Sequence, residues 1–474
     1  MLKKFFGNAQ FYKKVALVVV PIIIQNLITQ FVAVLDNLMV GQTGTEQMSA
    51  VSIVNQLIFV FNICVFGAVS GAGIFTAQYY GNGNMDGVRY SHRFKAIVCL
   101  LVAVLAVVLF AVLDEPLIYL FLQGEGAIED IASTVSYGKE YLFVMLFGLP
   151  PFALAWAYSD TLRSTKQTVV PMVASVTAVF VNLIFNYLLI FGHLGFPALG
   201  VVGAGIATVI SRYVEFFIVV LWAHFNPKKN PFIVGIYKSL RIPKVFLKQM
   251  ILKGIPLLIN ETLWVISITM LSQCFSTRGL TVVAAHSISN TIQNLASVFH
   301  ISMGTAVGII IGQMLGSGED FEKIKDTDVK LITLSVMLGL FFGGIMAATS
   351  TLFPALYNTS EEVKQLASAL ICVGACYIPL NALAHSTYFT LRSGGKTLIT
   401  FIFDSGFKAF ITVPVTLILT YTTNLPIIPL FIICTSTEVF KCILGICFVK
   451  SGVWCKNLAT PTEETTVEPN QATA

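Results

Sequence analysis

Glu261 lies in the run PLLINETLW, five residues after Pro256 and beside Asn260, inside an otherwise apolar stretch. A carboxylate at bilayer depth is costly, so it faces a cavity, pairs with a neighbour or carries an ion. Glu261 is therefore read as a coupling-ion residue that could bind Na+ or take up a proton. Asp36, in VLDNLMVG, is a second candidate. Its place near the end of an apolar segment gives it a route to headgroup water, which leaves a fold role equally open. Asn182 and Asn186, in VNLIFNY, share a helix face at i,i+4 spacing and could complete a polar patch with Asp36. Interhelical hydrogen bonding explains these asparagines as well.

Three further acids come with built-in bases: Glu215 stands three after Arg212, Asp404 four before Lys408, and Glu438 three before Lys441. That spacing puts each pair on one helix face, and pairing lowers the cost of burial. These six residues are expected to form structural ion pairs. Hydrogen-bonding capacity for a substrate cleft comes from Asn260, Tyr377, Asn381, His385 and Tyr388, with Gln56 and Gln293. A loose, largely apolar pocket holding a few acids suits amphiphilic organic cations. The nine cysteines lie mostly inside apolar runs without ligand spacing, so no metal site is expected. P-loop, HExxH, GxSxG and dinucleotide patterns are absent from the sequence, so it does not read as an enzyme and needs no cofactor beyond Na+ or H+.

The elements that must position these side chains belong to a membrane protein. The 474 residues are 56% hydrophobic and 11% charged, where a soluble domain carries about 25% charged residues. Twelve segments are long and apolar enough to span a bilayer: about 15–39, 50–74, 95–113, 137–159, 169–191, 199–222, 250–272, 283–307, 330–350, 366–389, 398–420 and 427–449. Lys and Arg concentrate in alternate connections, from Lys3, Lys4, Lys13 and Lys14 onward. That asymmetry predicts a multi-pass cell-membrane protein with both termini cytoplasmic. The small net charge of +5, dispersed in short loops, gives no case for nucleic acid.

The sequence is also written twice. An offset of 235 pairs Pro21 with Pro256, Ser52, Ile53 and Asn55 with Ser287, Ile288 and Asn290, and Gln78, Gly81 and Gly83 with Gln313, Gly316 and Gly318. An offset of 229 pairs Pro150 with Pro379 and the two TLRS runs, Thr161–Ser164 and Thr390–Ser393. Six spans per copy is an even number, so both copies enter the bilayer in the same orientation, an arrangement found in one class of secondary transporter. The expected organisation is an N-terminal six-helix lobe (1–222), a cytoplasmic connection (223–249), a C-terminal six-helix lobe (250–450) and a disordered cytoplasmic tail (451–474). The matched glycines are expected to allow tight turns.

From its start through about residue 450 the chain resembles the multidrug and toxic compound extrusion family. The resemblance rests on the duplication, Pro21, VLDNLMVG with Asp36 and Gly41, the Gln78–Gly83 stretch and the two TLRS segments. It implies an all-α membrane protein of 12 transmembrane helices, in two parallel six-helix repeats forming a two-lobed, V-shaped transporter. It also implies export of drugs, dyes or metabolites in exchange for entering Na+ or H+. In some members an acid of span seven, matching Glu261, participates in the cation site. Another branch uses an Asp of span one, matching Asp36, with asparagines of span five. Asn182 fits that pattern, Asn186 stands where certain relatives have Asp, and Asn381 appears where the Glu-containing branch often carries Asp. Both sites and both ions stay open. The substrates are expected to be small organic molecules, and a cleft completed within one chain predicts a functional monomer in lipid. A lipid-linked precursor flippase of the same broad superfamily is the alternative, and a non-transporting receptor or scaffold a more distant one.

Overall fold

The computed structural model describes residues 5–122 and 128–459. Lys3, Lys4 and tail residues 460–474 lie outside the described residues. Among those described, every regular element is helical. The duplication is visible in element lengths: α1 (Ala9–Gly41) and α9 (Lys244–Ser276) each run 33 residues. Next come α2 (Thr45–Gly81) and α10 (Leu280–Ser317), with 37 and 38. Then α3 (Met85–Val112) and α11 (Phe321–Ala348) both have 28. Short helices α4 (Asp114–Tyr119) and α12 (Leu352–Ala355) follow in each copy.

Beyond that point the copies diverge. The first builds its fourth crossing from α5 (Ile128–Leu146) and α6 (Leu149–Ser164), bent by 47° at the break. Pro150 and Pro151 open α6, where their missing donors cost nothing but prevent α5 from continuing. The second copy crosses with one continuous helix, α13 (Glu361–Ser393), which absorbs Pro379 in its interior. Pro21 and Pro256 likewise sit inside α1 and α9, so Pro256 does not mark a helix start. The first copy ends with α7 (Val169–Phe191) and α8 (Gly200–Phe225). The second ends with α14 (Thr397–Phe401), two π-wound turns (Ile402–Gly406 and Lys408–Thr412), α15 (Val413–Thr422) and α16 (Ile427–Ser451). Among the described residues, eleven helices are long and apolar enough to cross a membrane, and the bent pair makes twelve crossings if taken as one.

Two compact units result, and their limits differ from the expected 1–222 and 250–450. One holds residues 24–76 and 85–248; the other holds 249–474 together with 1–23 and 77–84. The physical reasons are local. Val15 and Val19 of α1 pack in a cluster with Met303, Ile311, Leu391 and Trp454. At the end of α2, a Cβ on Gly81 would overlap the main chain of Gln313, and one on Gly316 would overlap that of Gln78. The two repeat-related helix ends therefore cross with their backbones in contact through paired glycines. Gly83 (φ +73°) and Gly318 (φ +71°) carry the left-handed turns that follow. Of the two glycines in each copy, only the second supplies the expected turn; the first permits a close approach.

Residues 451–459 correct the expectation of a disordered tail starting at 451. Trp454 is fully buried and its indole donates to the Val449 carbonyl at 3.0 Å. Gln78 Nε2 donates to the carbonyls of Ser393 (2.7 Å) and Lys456 (3.2 Å), while its Oε1 accepts from the Leu458 amide at 2.5 Å. Asn82 donates to the Ala459 carbonyl at 3.3 Å. One large apolar side chain and one amide dock a segment that has no periodic apolar face to announce it.

Candidate functional site

In the unit containing residues 249–474, Glu261 and Asn260 lie side by side on α9 and face different partners. Glu261 is half-buried and its Oε1 accepts from the Tyr388 hydroxyl at 3.4 Å. Among the described residues it makes no ion-pair contact, although the charge of Arg392 acts on it. Asn260 is buried; its amide nitrogen donates to Asp404 Oδ2 (3.1 Å) and reaches the Tyr388 hydroxyl (3.4 Å). The neighbouring acids Asp404 and Glu438 are neutralised. Lys441 contacts Asp404 at 2.5 Å and Glu438 at 3.6 Å, and Lys408 lies 3.9 Å from Glu438. Glu438 and Lys441 thus pair as their spacing predicts. Asp404 and Lys408 do not: both belong to π-wound turns, and each finds its charge partner on α16. Asp404 is turned toward α16 instead.

The expected cleft residues separate. Tyr388 is buried in the Glu261 cluster, whereas the Tyr377 hydroxyl shares a 2.7 Å hydrogen bond with Ser436 of α16. His385 meets the Asn381 carbonyl through Nδ1 at 3.2 Å, and its ring lies 4.6 Å from that of His300. Gln293 donates to Ser289 one turn before it, at 2.7 Å.

In the unit containing residues 24–76 and 85–248, Asp36 meets both predicted asparagines. Asn186 donates to Asp36 Oδ1 at 2.7 Å. With its amide oriented to satisfy both ends, Asn182 donates to Asp36 at 2.8 Å and accepts from the Thr208 hydroxyl at 3.3 Å. Arg212 and Glu215 pair at 3.5 Å. Gln56 is exposed.

Two polar clusters of this unit went unnoticed in the sequence. Arg163 donates to Gln25 (2.9 Å), Gln25 to Ser175 (2.7 Å), and Ser175 to Glu215 (2.5 Å). This chain is the repeat counterpart of the Asn260 cluster. An offset of 235 carries Gln25 onto Asn260, and one of 229 carries Arg163, Ser175 and Arg212 onto Arg392, Asp404 and Lys441. The same alignment that exposes the duplication would have found it. Lys95 is the second omission. Standing at the start of the expected span 95–113, it is fully buried and donates to Asp160 (2.9 Å) and Thr76 (3.0 Å). Asp328 adds a third surprise in the other unit, fully buried with one oxygen accepting from Thr390 at 2.6 Å. No group of three or more His, Cys, Asp or Glu side chains suited to hold a metal occurs among the described residues.

Membrane-length helices laid down twice, with charged side chains held between them at matched positions, define a duplicated multi-pass membrane protein. A family model described as MatE matches residues 21–188 and 256–422, one match in each copy. The chain belongs to that family, the multidrug and toxic compound extrusion transporters, and is accordingly not an enzyme. It is 26% identical over 453 residues to the probable multidrug resistance protein NorM of Thermotoga maritima, covering 94% of this chain and 93% of the relative. Identity to the probable multidrug resistance protein YoeA of Bacillus subtilis is 25% over 430 residues, covering 89% of each. Among solved structures, it resembles an outward-facing MATE transporter of the MOP superfamily with a TM-score of 0.82 at 20% identity, covering 94% and 96% of the two chains. A Pyrococcus furiosus transporter of that superfamily, described by a binding pocket of reverse polarity, gives 0.83 at 20% identity, covering 95% and 97%. These two likenesses concern the fold.

Proposed function

We propose that the protein is a secondary active antiporter of the cell membrane that exports amphiphilic organic cations, drugs or metabolites, in exchange for entering Na+ or H+. The observation that carries this reading is Glu261. Its neighbours Asp404 and Glu438 are balanced by Lys441 and Lys408, while Glu261 makes no ion-pair contact among the described residues and has a tyrosine hydroxyl within hydrogen-bond reach. An acid so placed is available to a proton or a hydrated cation. The names of the NorM and YoeA relatives support a drug-export reading. Asp36 with Asn182 and Asn186 is the second proposed cation site.

In the proposed cycle, a cation binds the outward-accessible state and lowers its affinity for substrate, which leaves; the protein then returns to load substrate from the other side. Coupling requires that the cation bind the two states unequally, since equal affinity moves no equilibrium. Both termini are placed in the cytoplasm and the working form is a monomer. The flippase alternative is disfavoured because a pyrophosphate group needs available cations, and Lys408 and Lys441 are already occupied by carboxylates.

The reading is tested with purified protein in liposomes under an imposed Na+ or H+ gradient, using ethidium, norfloxacin and a broader substrate panel. Gradient-driven flux of at least one organic cation is expected. Lipid scrambling without such flux would replace this reading with the flippase.

A further inference from the structure

Between Glu215 and Glu261 the sequence contains no acid, yet bases crowd the same interval. Lys228, Lys229, Lys238, Arg241, Lys244 and Lys248 are all exposed, and none makes an ion pair among the described residues. Several accessible lysines elsewhere are matched locally: Lys323 with Glu319, Lys325 with Glu322, Lys364 with Glu361, and Lys139 with Asp114 and Glu115. Large apolar side chains stand exposed among the unmatched bases, namely Phe225, Val234, Tyr237 and Leu240. A tendency to place positive charge on one side of the bilayer accounts for bases in a connection, but not for apolar side chains held out between them. Bases and exposed apolar groups together, without acids, are what a surface lying in the headgroup layer requires.

The connection is also held in place, so this surface exists before anything binds it. Arg93 of α3 is buried and donates to the carbonyls of Ile236 (2.8 Å), Gly235 (3.1 Å) and Arg241 (3.2 Å). Arg89 donates to the Phe232 carbonyl at 3.3 Å, and the hydroxyls of Tyr158 and Tyr237 share a 2.6 Å hydrogen bond. Phe232, Ile233 and Ile236 are buried, which leaves the bases pointing outward. Its ends are α8 and the start of α9, both long and apolar enough to cross the membrane, so a short connection between them runs along one membrane surface. We propose that residues 225–248 form a docking surface for anionic lipid headgroups, with the bases meeting lipid phosphates and Leu240 and Phe225 entering the acyl boundary. A soluble anion would satisfy the bases and leave the apolar side chains in water; a lipid satisfies both.

Trp222, whose ring centroid lies 6.0 Å from Lys229 Nζ, reports on this surface. The full chain is reconstituted in phosphatidylcholine vesicles carrying brominated phosphatidylglycerol or brominated phosphatidylcholine, and quenching of Trp222 is isolated by subtracting a Trp222→Phe control. Phosphatidylglycerol is expected to be preferred by roughly fivefold or more at low salt, with the preference eroding as ionic strength rises. Combining Lys228→Gln, Lys238→Gln, Arg241→Gln and Lys244→Gln, with Lys229 left beside the indole, should bring the preference close to none. Lys323→Gln with Lys139→Gln, at acid-matched sites, should leave it unchanged. In a separate variant, Leu240→Trp, the added emission should move to shorter wavelength when phosphatidylglycerol is present. Equal quenching by the two lipids in wild type, an undiminished preference in the four-site variant, or water-like emission from Leu240→Trp would overturn the proposal. Loss of the preference on adding inorganic phosphate at constant ionic strength would overturn it in favour of a soluble anion. None of these readouts requires transport, so their failure leaves the antiport reading untouched.

Discussion

Glu261 and Asp404 sit in one cluster yet meet different chemistry. Asp404 has Lys441 at 2.5 Å, while Glu261 has a hydroxyl at 3.4 Å. Glu261→Gln keeps the shape and removes the charge, so it should reduce gradient-driven flux by at least tenfold if Glu261 carries the coupling ion. Asp36→Asn, measured the same way, should reduce flux to that extent only if the Asn182 and Asn186 patch is the site. Both acids were legible because carboxylates are rare in apolar runs and are costly there. Lys95 was not, because its position three turns into α3 reads as an ordinary basic helix start. Its burial against Asp160 makes a separate forecast. Lys95→Met leaves Asp160 without its partner and should lower stability by roughly 2–3 kcal/mol, below the fully buried range because Asp160 remains partly exposed. Thermal unfolding in detergent measures this, and Lys95→Met with Asp160→Asn should recover much of the loss.

The even number of crossings and their approximate places followed from hydropathy, and the duplication from self-alignment, because both are written in long stretches of residues. What escaped was decided by a few atoms. Asp404 is held by Lys441 of α16 and by Asn260 of α9, contacts that local spacing does not encode, so i,i+4 spacing alone assigned it the wrong partner. The crossing of α2 and α10 hangs on Gly81 and Gly316, each against the other helix's backbone. Gly81→Val and Gly316→Val should destabilise to similar extents, on the order of 1–3 kcal/mol or more, since main chain yields less than side chain. Gly83, with no neighbour near its Cβ direction, should show only the smaller cost of a left-handed turn when changed to Asn. The docked segment after α16 gives a further expectation. Trp454→Ala should cost roughly 3–5 kcal/mol by removing a fully buried indole. Limited proteolysis would then cut near residue 454, whereas wild type resists.

The chain reads as a duplicated transporter because its two family matches cover corresponding parts of both copies. Composition excluded a soluble fold, and repeat parity required parallel insertion, but neither identifies what is carried. Substrate choice depends on the shape of a passage that one sequence does not encode in any short motif. Orientation has its own check. Single cysteines introduced in the connection at Lys229 or Lys238 should react with a membrane-impermeant reagent only when the cytoplasmic face is opened; labelling of intact cells would reverse the placement of the termini. The most direct measurement follows substrate and cation together in liposomes of wild type and Glu261→Gln. The account predicts that ethidium leaves as Na+ or H+ enters, in fixed proportion, and that Glu261→Gln abolishes the cation-driven component. Substrate movement in wild type that is indifferent to both gradients, or coupled exchange in Glu261→Gln equal to that of wild type, would contradict it.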